Sequence, residues 1–409
     1  MSGLRLATGG MTALTQREEQ AVAAAHASPM LERTRAWSAV NSGTGNIDGL
    51  AQVAEMLARD FGALPGTLRL VAASAAERVG TDGSVSAVPH GQHLHLSVRP
   101  DAQRRLLLTG HMDTVYPADH PFQTLTDRPD GTINGPGVAD MKGGLAVMLA
   151  ALEAVEAVGC PIGYDVVINS DEETGSFSSA ELIAATARGK LAALTYEPAL
   201  PDGTLAGARG GTGNFSIVVR GRAAHAGRNP EDGRNAIVAA AALALALNAA
   251  KSPRLSVNPA RIDGGGPNNV VPDLAVLRVN FRPKDLAEID RARASIDTAV
   301  ADVAAAHDVS IEVHGSFNRP PKPIDAGAQR LFDLVQSVGA DMGLPIAWRD
   351  TGGVCDGNNI AAAGTPVIDT MGVRGGAIHS SDEYLIVDSL AERAALSTIT
   401  ILRLAENGL

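Results

Sequence analysis

Apolar residues along this chain fall into two alternating rhythms. Residues 46–61 place Ile47, Leu50, Val53 and Leu57 near helical spacing, which predicts a helix. Residues 68–71 and 93–98 read as strands. Leu106-Leu107-Leu108-Thr109 is a short apolar run stopping at Gly110, as in a strand buried on both faces. Residues 142–158 form a long Ala-rich stretch that predicts a helix opening on Gly143-Gly144. Residues 164–169, 193–196 and 366–369 read as further buried strands. Strands alternating with helices of this length predict an α/β fold, with a mostly parallel sheet flanked by helices.

Between about residues 207 and 316 the order changes. The pattern gives a strand (214–220), a helix (235–250), a strand near Ala260, a strand (275–282), a helix (285–307) and a strand (310–314). That β-α-β-β-α-β order predicts a ferredoxin-like α+β unit. The α/β pattern continues on both sides of it. The expected division is therefore a host domain of residues 1–206 and 317–409, with residues 207–316 inserted. Glycine-rich joints at 207–213 and 264–266 flank or punctuate the insertion.

Composition narrows the function. Of 409 residues, 45% are hydrophobic and 19% charged, enough for a packed core. A net charge of −11 and only 3% aromatic residues argue against a nucleic-acid or anionic-membrane partner. Cys160 and Cys355 are too few for a disulfide framework. Residues 1–20 lack an apolar leader, and the longest apolar run, 236–247, is shorter than the roughly 20 residues a membrane span needs. The expectation is a cytoplasmic protein.

The candidate chemistry sits at predicted strand ends. One strand runs into His111-Met112-Asp113, another into Asp171-Glu172-Glu173, a third into Glu197, and the last leads to His379. Asp140 lies just before the long helix. In open α/β sheets ligands bind outside the carboxyl ends of the strands, so these residues should converge. Clustered carboxylates repel unless a cation sits among them. Imidazole with carboxylate and no thiolate suits Zn2+, with Co2+ or Mn2+ as alternatives. Asp140, Glu173 and Glu197 supply three negative charges. Two divalent ions and a hydroxide would bring the site to neutrality, the arrangement of two-metal hydrolases. Asp113 is placed to fix the orientation of His111. Glu172, beside a ligand but not needed as one, is free to be the general base. Gly135-Pro136-Gly137 fails the dinucleotide pattern because Asp140 stands where a third glycine belongs.

Six ordered motifs carry a resemblance. They are Gly110-His-Met-Asp-Thr-Val115, Gly135-Pro-Gly-Val-Ala-Asp-Met-Lys-Gly143, Asp171-Glu-Glu-Thr-Gly175, Tyr196-Glu-Pro198, Gly221-Arg-Ala-Ala-His-Ala-Gly227 and Ala377-Ile-His-Ser-Ser-Asp-Glu383. Together they resemble the di-zinc family of glutamate carboxypeptidase, acetylornithine deacetylase and succinyl-diaminopimelate desuccinylase. Residues 268–272 and 351–358 are most similar to the glutamate carboxypeptidase branch. The resemblance implies that His111 and Glu197 hold one metal, Glu173 and His379 the other, and that Asp140 bridges them with a cis peptide after it. It implies that Glu172 is the base and that Asp113 orients His111. It implies that the inserted domain is a lid and homodimerisation domain, whose His225 reaches the partner subunit's site to stabilise an oxyanion. Asn269 and Arg319 match substrate-holding positions, Arg319 toward a carboxylate, and Arg282 and Arg209 are further candidates. Cys355 departs from the branch, which has Ser or Thr there; this bears on the substrate pocket, not on the metal ligands.

The expected activity is hydrolysis of an amide bond in a small N-acyl amino acid or dipeptide with a free carboxylate, by a zinc-dependent carboxypeptidase-like enzyme. A deacetylase or desuccinylase of the acetylornithine type is the alternative. A tripeptide aminopeptidase and a non-catalytic metal-binding subunit are further readings.

Overall fold

The computed structural model describes residues 14–409; residues 1–13, on which the expectation about a leader largely rests, lie outside it. A six-stranded sheet forms the centre, in the order Thr67–Val71, His93–Val98, Gly163–Asn169, Arg105–His111, Ala192–Thr195, Val367–Ile368. His93–Val98 runs antiparallel to both neighbours, and the remaining pairs are parallel. The fold is thus mixed α/β with one reversed strand.

Alternation along the strands explains the layers. Leu106 and Leu108 face one side, packing with Leu145, Leu149, Ile399 and Leu402 of helices Gly143–Ala157 and Ser389–Asn407. Leu107 faces the other side, with Ile183, Ala187 and Ile360 of the shorter helices Ala180–Ala187 and Asp356–Ala362. Every residue of Gly163–Asn169 is buried, as a strand covered on both faces requires. The helix Gly143–Ala157 lies so close to the sheet that a Cβ on Gly144 would overlap the Tyr196 carbonyl.

A second sheet holds Leu255–Gly264, Leu274–Pro283, Thr212–Arg220 and Ser310–Arg319 in that order, antiparallel throughout. Its last strand continues past residue 316 to Arg319, which pairs with Thr212. Helices Ala236–Ala249 and Leu286–His307 cover one face and enclose a separate apolar core around Ile217, Leu243, Leu277 and Ile296. Asp285 caps the second helix by accepting from the Glu288 N–H. The other face is partly covered by a hairpin, Ala76–Val79 with Val85–Val88, that the hydrophobic pattern does not announce. Val79 packs on Val218 and Val276, and Arg278 Nη2 donates to the Val79 and Gly80 carbonyls at 2.8 and 3.1 Å.

Cys160 and Cys355 are both buried free thiols. Among the described residues no helix is long and apolar enough to cross a membrane.

Candidate metal centre

Three adjacent parallel strands deliver four of the candidate residues. Arg105–His111 ends on His111 itself. Gly163–Asn169, on one side, leads into the turn that carries Glu172 and Glu173. Ala192–Thr195, on the other, leads to Glu197 two residues later. Asp140 comes from the turn Val138–Lys142, which Gly137 opens at φ +70°; a Cβ there would also stand 2.8 Å from Thr114 Cγ2. The Asp140–Met141 peptide is cis. His379 follows the edge strand through a long loop and sits at φ +62°, a backbone region costly for a non-glycine residue and common at functional sites.

These side chains meet around Asp140. Its Oδ1 is 3.1 Å from His111 Nε2, and its Oδ2 is 3.2 Å from His379 Nε2. Glu197 Oε2 lies 3.8 Å from His111 Nε2, and Glu173 Oε2 lies 3.2 Å from His379 Nε2. One carboxylate therefore faces two imidazole–glutamate pairs, one with each oxygen. Ligands bound at 2.0–2.1 Å around a tetrahedral ion stand about 3.3 Å apart, so the spacing fits. His111 with Asp140 and Glu173, and His111 with Glu172 and Glu197, each bring ligand atoms within 4.8 Å of one another. Glu173 Oε1 is buried with no hydrogen-bond partner, which leaves a donor atom free for a cation.

The electrostatics point the same way. Burial pushes Glu172 up to about 7 and Glu173 up to about 8, and raises Glu197, with the neighbouring carboxylates adding to it. Asp140, then Glu173, hold His379 up to about 11. Burial would lower His111, but Asp113, Asp140 and Glu197 carry it well above the usual range. Anions strained and imidazolium favoured together mean that the cluster demands positive charge.

Supporting groups fix the parts. His111 Nδ1 is 3.0 Å from the Asp113 carbonyl, which can only accept, so this nitrogen carries the proton and Nε2 turns to the cluster. The Asp113 carboxylate lies 3.4 Å from the same nitrogen. It also accepts from the backbone N–H of Glu172 and Glu173, both at 3.1 Å, and from Thr44 Oγ1 at 2.7 Å. It thus holds both the imidazole strand end and the carboxylate turn. Asp171, behind the turn, accepts from Ser178 and Ser179.

Glu383 supports the cluster and is a residue that sequence reasoning passed over. It is 1% exposed, and its carboxylate accepts from Gly137 N (3.2 Å), Ala139 N (3.0 Å), Asp140 N (3.1 Å) and Tyr116 OH (2.9 Å). It ties the loop of His379 to the turn of Asp140. Its only signal was membership of the His379 motif, where a Glu after Ser-Ser-Asp reads as surface.

A cleft of about 550 Å3 opens over the cluster, lined by Asp140, Glu172, Glu173, Glu197 and His379, with Arg209 and Cys355 on its wall. The Cys355 thiol instead caps helix Asp356–Ala362 by accepting from Gly357 N. Arg209 is ion-paired with Asp369 through two bonds, at 2.7 and 3.2 Å. Arg319 is 5% exposed and lies outside the cleft lining. Its Nη2 reaches Glu172 Oε1 at 2.7 Å, the Glu172 carbonyl at 2.8 Å and Ser176 Oγ at 2.8 Å. Arg282 lines an adjoining cavity that shares Arg209, Asp350, Thr351 and Gly352 with the cleft. His225 and Asn269 are exposed and line neither. His225 Nδ1 accepts from the backbone N–H of Gly227 and Arg228.

An α/β sheet with such a cluster at its carboxyl edge defines a metal-binding hydrolase. The chain belongs to the peptidase family M20/M25/M40, whose model matches residues 107–403. It is 28% identical over 376 residues to carboxypeptidase G2 of Pseudomonas sp. (strain RS-16), covering 89% of this chain and 86% of that protein. It is 32% identical over 325 residues to the succinyl-diaminopimelate desuccinylase of Xanthomonas oryzae pv. oryzae (strain MAFF 311018), covering 73% and 83%. A tripeptidase from Staphylococcus aureus superposes with a TM-score of 0.70 at 23% identity, covering 97% of this chain and all of that one. The protein is thus a metal-dependent hydrolase of a family acting on peptides or acyl amino acids.

Proposed function

We propose that this enzyme hydrolyses the amide bond of a small N-acyl amino acid or dipeptide bearing a free carboxylate, at a two-metal centre. His111 and Glu197 would hold one divalent ion, Glu173 and His379 the other, with Asp140 between them. The observation that carries the reading is Asp140, whose two oxygens each face a separate imidazole–glutamate pair. Zinc, cobalt or manganese bound there would polarise the scissile carbonyl and acidify the attacking water.

The chain's own residues supply the proton path. Glu172 removes a proton from water as its oxygen attacks the carbonyl carbon. When the carbon–nitrogen bond breaks, Glu172 returns that proton to the departing amine. Asp113 holds the turn that carries Glu172, and Arg319 holds its carboxylate. Residues 207–316 would act as lid and dimerisation domain. His225, which does not line the cleft of its own chain, would then serve the partner's site and stabilise the developing oxyanion. Carboxypeptidase G2 as a relative favours a carboxypeptidase over a desuccinylase, because it aligns over more of the chain.

Glu172→Ala should keep its metals and its fold while kcat on a panel of N-acyl amino acids, folyl-glutamate and dipeptides falls roughly 10²–10⁴-fold. Near-normal turnover in that variant refutes the mechanism. Mixing it with His225→Ala should restore some activity through hybrid dimers; no recovery refutes action in trans.

A further inference from the structure

Next to the candidate ligand Glu197 in the chain, Tyr196 belongs to a buried group of donors that the proposed hydrolysis does not use. Arg393, on helix Ser389–Asn407, is wholly buried. Among the described residues its guanidinium makes one hydrogen bond, from Nη2 to the Gly203 carbonyl at 2.9 Å. Nη1 has no partner. Nε lies 3.4 Å from Glu392 Oε1 but without hydrogen-bond alignment. Ser397 stands one helical turn further on, hence on the same face as Arg393. Its hydroxyl also has no partner, whereas its neighbours Thr398 and Thr400 bond back to the carbonyls of Ala394 and Leu396. The buried Tyr196 hydroxyl faces that of Ser397, close enough for Ser397 to favour the phenolate but short of full hydrogen-bond geometry, so the two hydroxyls satisfy each other at most weakly. Arg374 completes the group. Its stem and the Arg393 fork both lie beside Gly203, its Nη1 reaches Glu392 Oε2 at 2.9 Å, and its Nε is buried and unpartnered.

Two features of this set point to one kind of ligand. Every unpartnered atom can donate, and three of them can only donate. The charges do not balance either, since two guanidiniums share the single carboxylate of Glu392. Burial pulls Arg393 down to about 10 although Glu392 favours its cation, and Arg374 opposes it. A buried cation left short of acceptors is costly, and a small anion meets the missing charge and the missing acceptors at once.

We propose that Arg393, Arg374, Ser397 and Tyr196 form a binding site for a monovalent inorganic anion of chloride's size and charge. It would brace the segment from Tyr196 to Gly203, in which Glu197 is a candidate metal ligand and Pro198 and Leu200 line the cleft. The site is a property of the folded chain and stands whether or not the proposed hydrolysis is correct.

The test follows thermal unfolding of the metal-loaded enzyme at fixed ionic strength, with sodium chloride replacing sodium methanesulfonate. The midpoint should rise saturably by about 2 °C or more as chloride reaches about 200 mM. Bromide-soaked crystals should show an anomalous peak within hydrogen-bond distance of Arg393. Ser397→Ala should raise the half-saturating chloride concentration several-fold, and Arg393→Met should abolish the response. If Arg393→Met does not fold, Ser397→Ala and the bromide peak decide. An unfolding midpoint indifferent to chloride, with only water refined beside Arg393, overturns the proposal. So does a chloride response that both variants retain, because the halide then acts elsewhere.

Discussion

Removing Glu383 should loosen Asp140 without touching a candidate ligand. Three backbone N–H groups, those of Gly137, Ala139 and Asp140, end on this one buried carboxylate. The Tyr116 hydroxyl has a second acceptor, the Ser380 carbonyl at 2.8 Å, and can turn to it. Glu383→Ala therefore strands three donors. At about 1 kcal/mol each, the low end because water can enter the space, the loss is about 3 kcal/mol. Glu383→Gln keeps one oxygen for Ala139 and Asp140 and turns an NH2 toward Gly137, stranding one donor at about 1–2 kcal/mol. Urea unfolding of chelator-treated protein measures both without the contribution of bound metal. Competition against a chelator should then show metal binding weakened by about 10–100-fold in the alanine variant. A Glu383→Ala protein within about 0.5 kcal/mol of wild type, with unchanged metal affinity, would place Glu383 among ordinary surface positions and refute the clamp.

Arg319→Met should lower kcat by roughly 10-fold or more with KM nearly unchanged, since Arg319 grips Glu172, the proposed base; a rise in KM at constant kcat would return it to the role of substrate ligand. Exhaustive chelation should abolish turnover and lower the unfolding midpoint, with zinc, cobalt or manganese restoring both; metal present at 100 times its Kd contributes about 2.7 kcal/mol. Activity that survives complete metal removal refutes the two-metal reading. Asp165 offers a test by pH. Burial pushes its carboxyl up, but His95, Lys190 and Arg105 outweigh that and pull it to about 2. A depressed carboxyl stabilises the fold above its unfolded value near 3.8, and that stability is lost as pH falls through about 2. The gap between wild type and Asp165→Asn should thus be about 2 kcal/mol at pH 7 and close toward pH 2; a gap independent of pH refutes it.

The strands that carry the cluster were legible because each is an apolar run that stops at a polar residue, and position at a strand end is a local property. Residues 106–109 and 164–169 show this directly. Direction is not local. A strand buried on both faces has the same apolar pattern whichever way it runs, and nothing in His93–Val98 announces that it opposes both neighbours. The hairpin Ala76–Val79 with Val85–Val88 was hidden for a different reason. Only Val79 of its strand residues is buried, and its partners Val218 and Val276 belong to the distant second sheet. Arg319, ahead of Pro320-Pro321, suggested a hinge residue free to meet substrate. The side chains it meets, Glu172, Ser176 and Asp356, come from distant segments of the chain and leave no trace at that spacing.

That last difference bears on how the proposed carboxylate substrate would be recognised. With a net charge of −11, long-range steering cannot help an anion, and it fades beyond about 8 Å in physiological salt. Recognition must then come from local cations. Arg209 and Arg319 are the obvious forks, yet each is already closed on a buried carboxylate, Asp369 in one case and Glu172 in the other. Drawing Arg319 to substrate would leave Glu172, the proposed base, without its partner, and drawing Arg209 away would leave Asp369 to Lys322 alone, 2.9 Å away. Arg282 and Lys284 are different. They line the adjoining cavity of about 750 Å3, and their cationic ends have no carboxylate partner among the described residues. Both belong to the end of the Leu274–Pro283 strand and the residue after it, on the second sheet and not on the sheet that carries the cluster. A substrate held between the two would have its amide at the cluster and its anionic end at the second sheet, so the position of that sheet would set which amides reach Glu172.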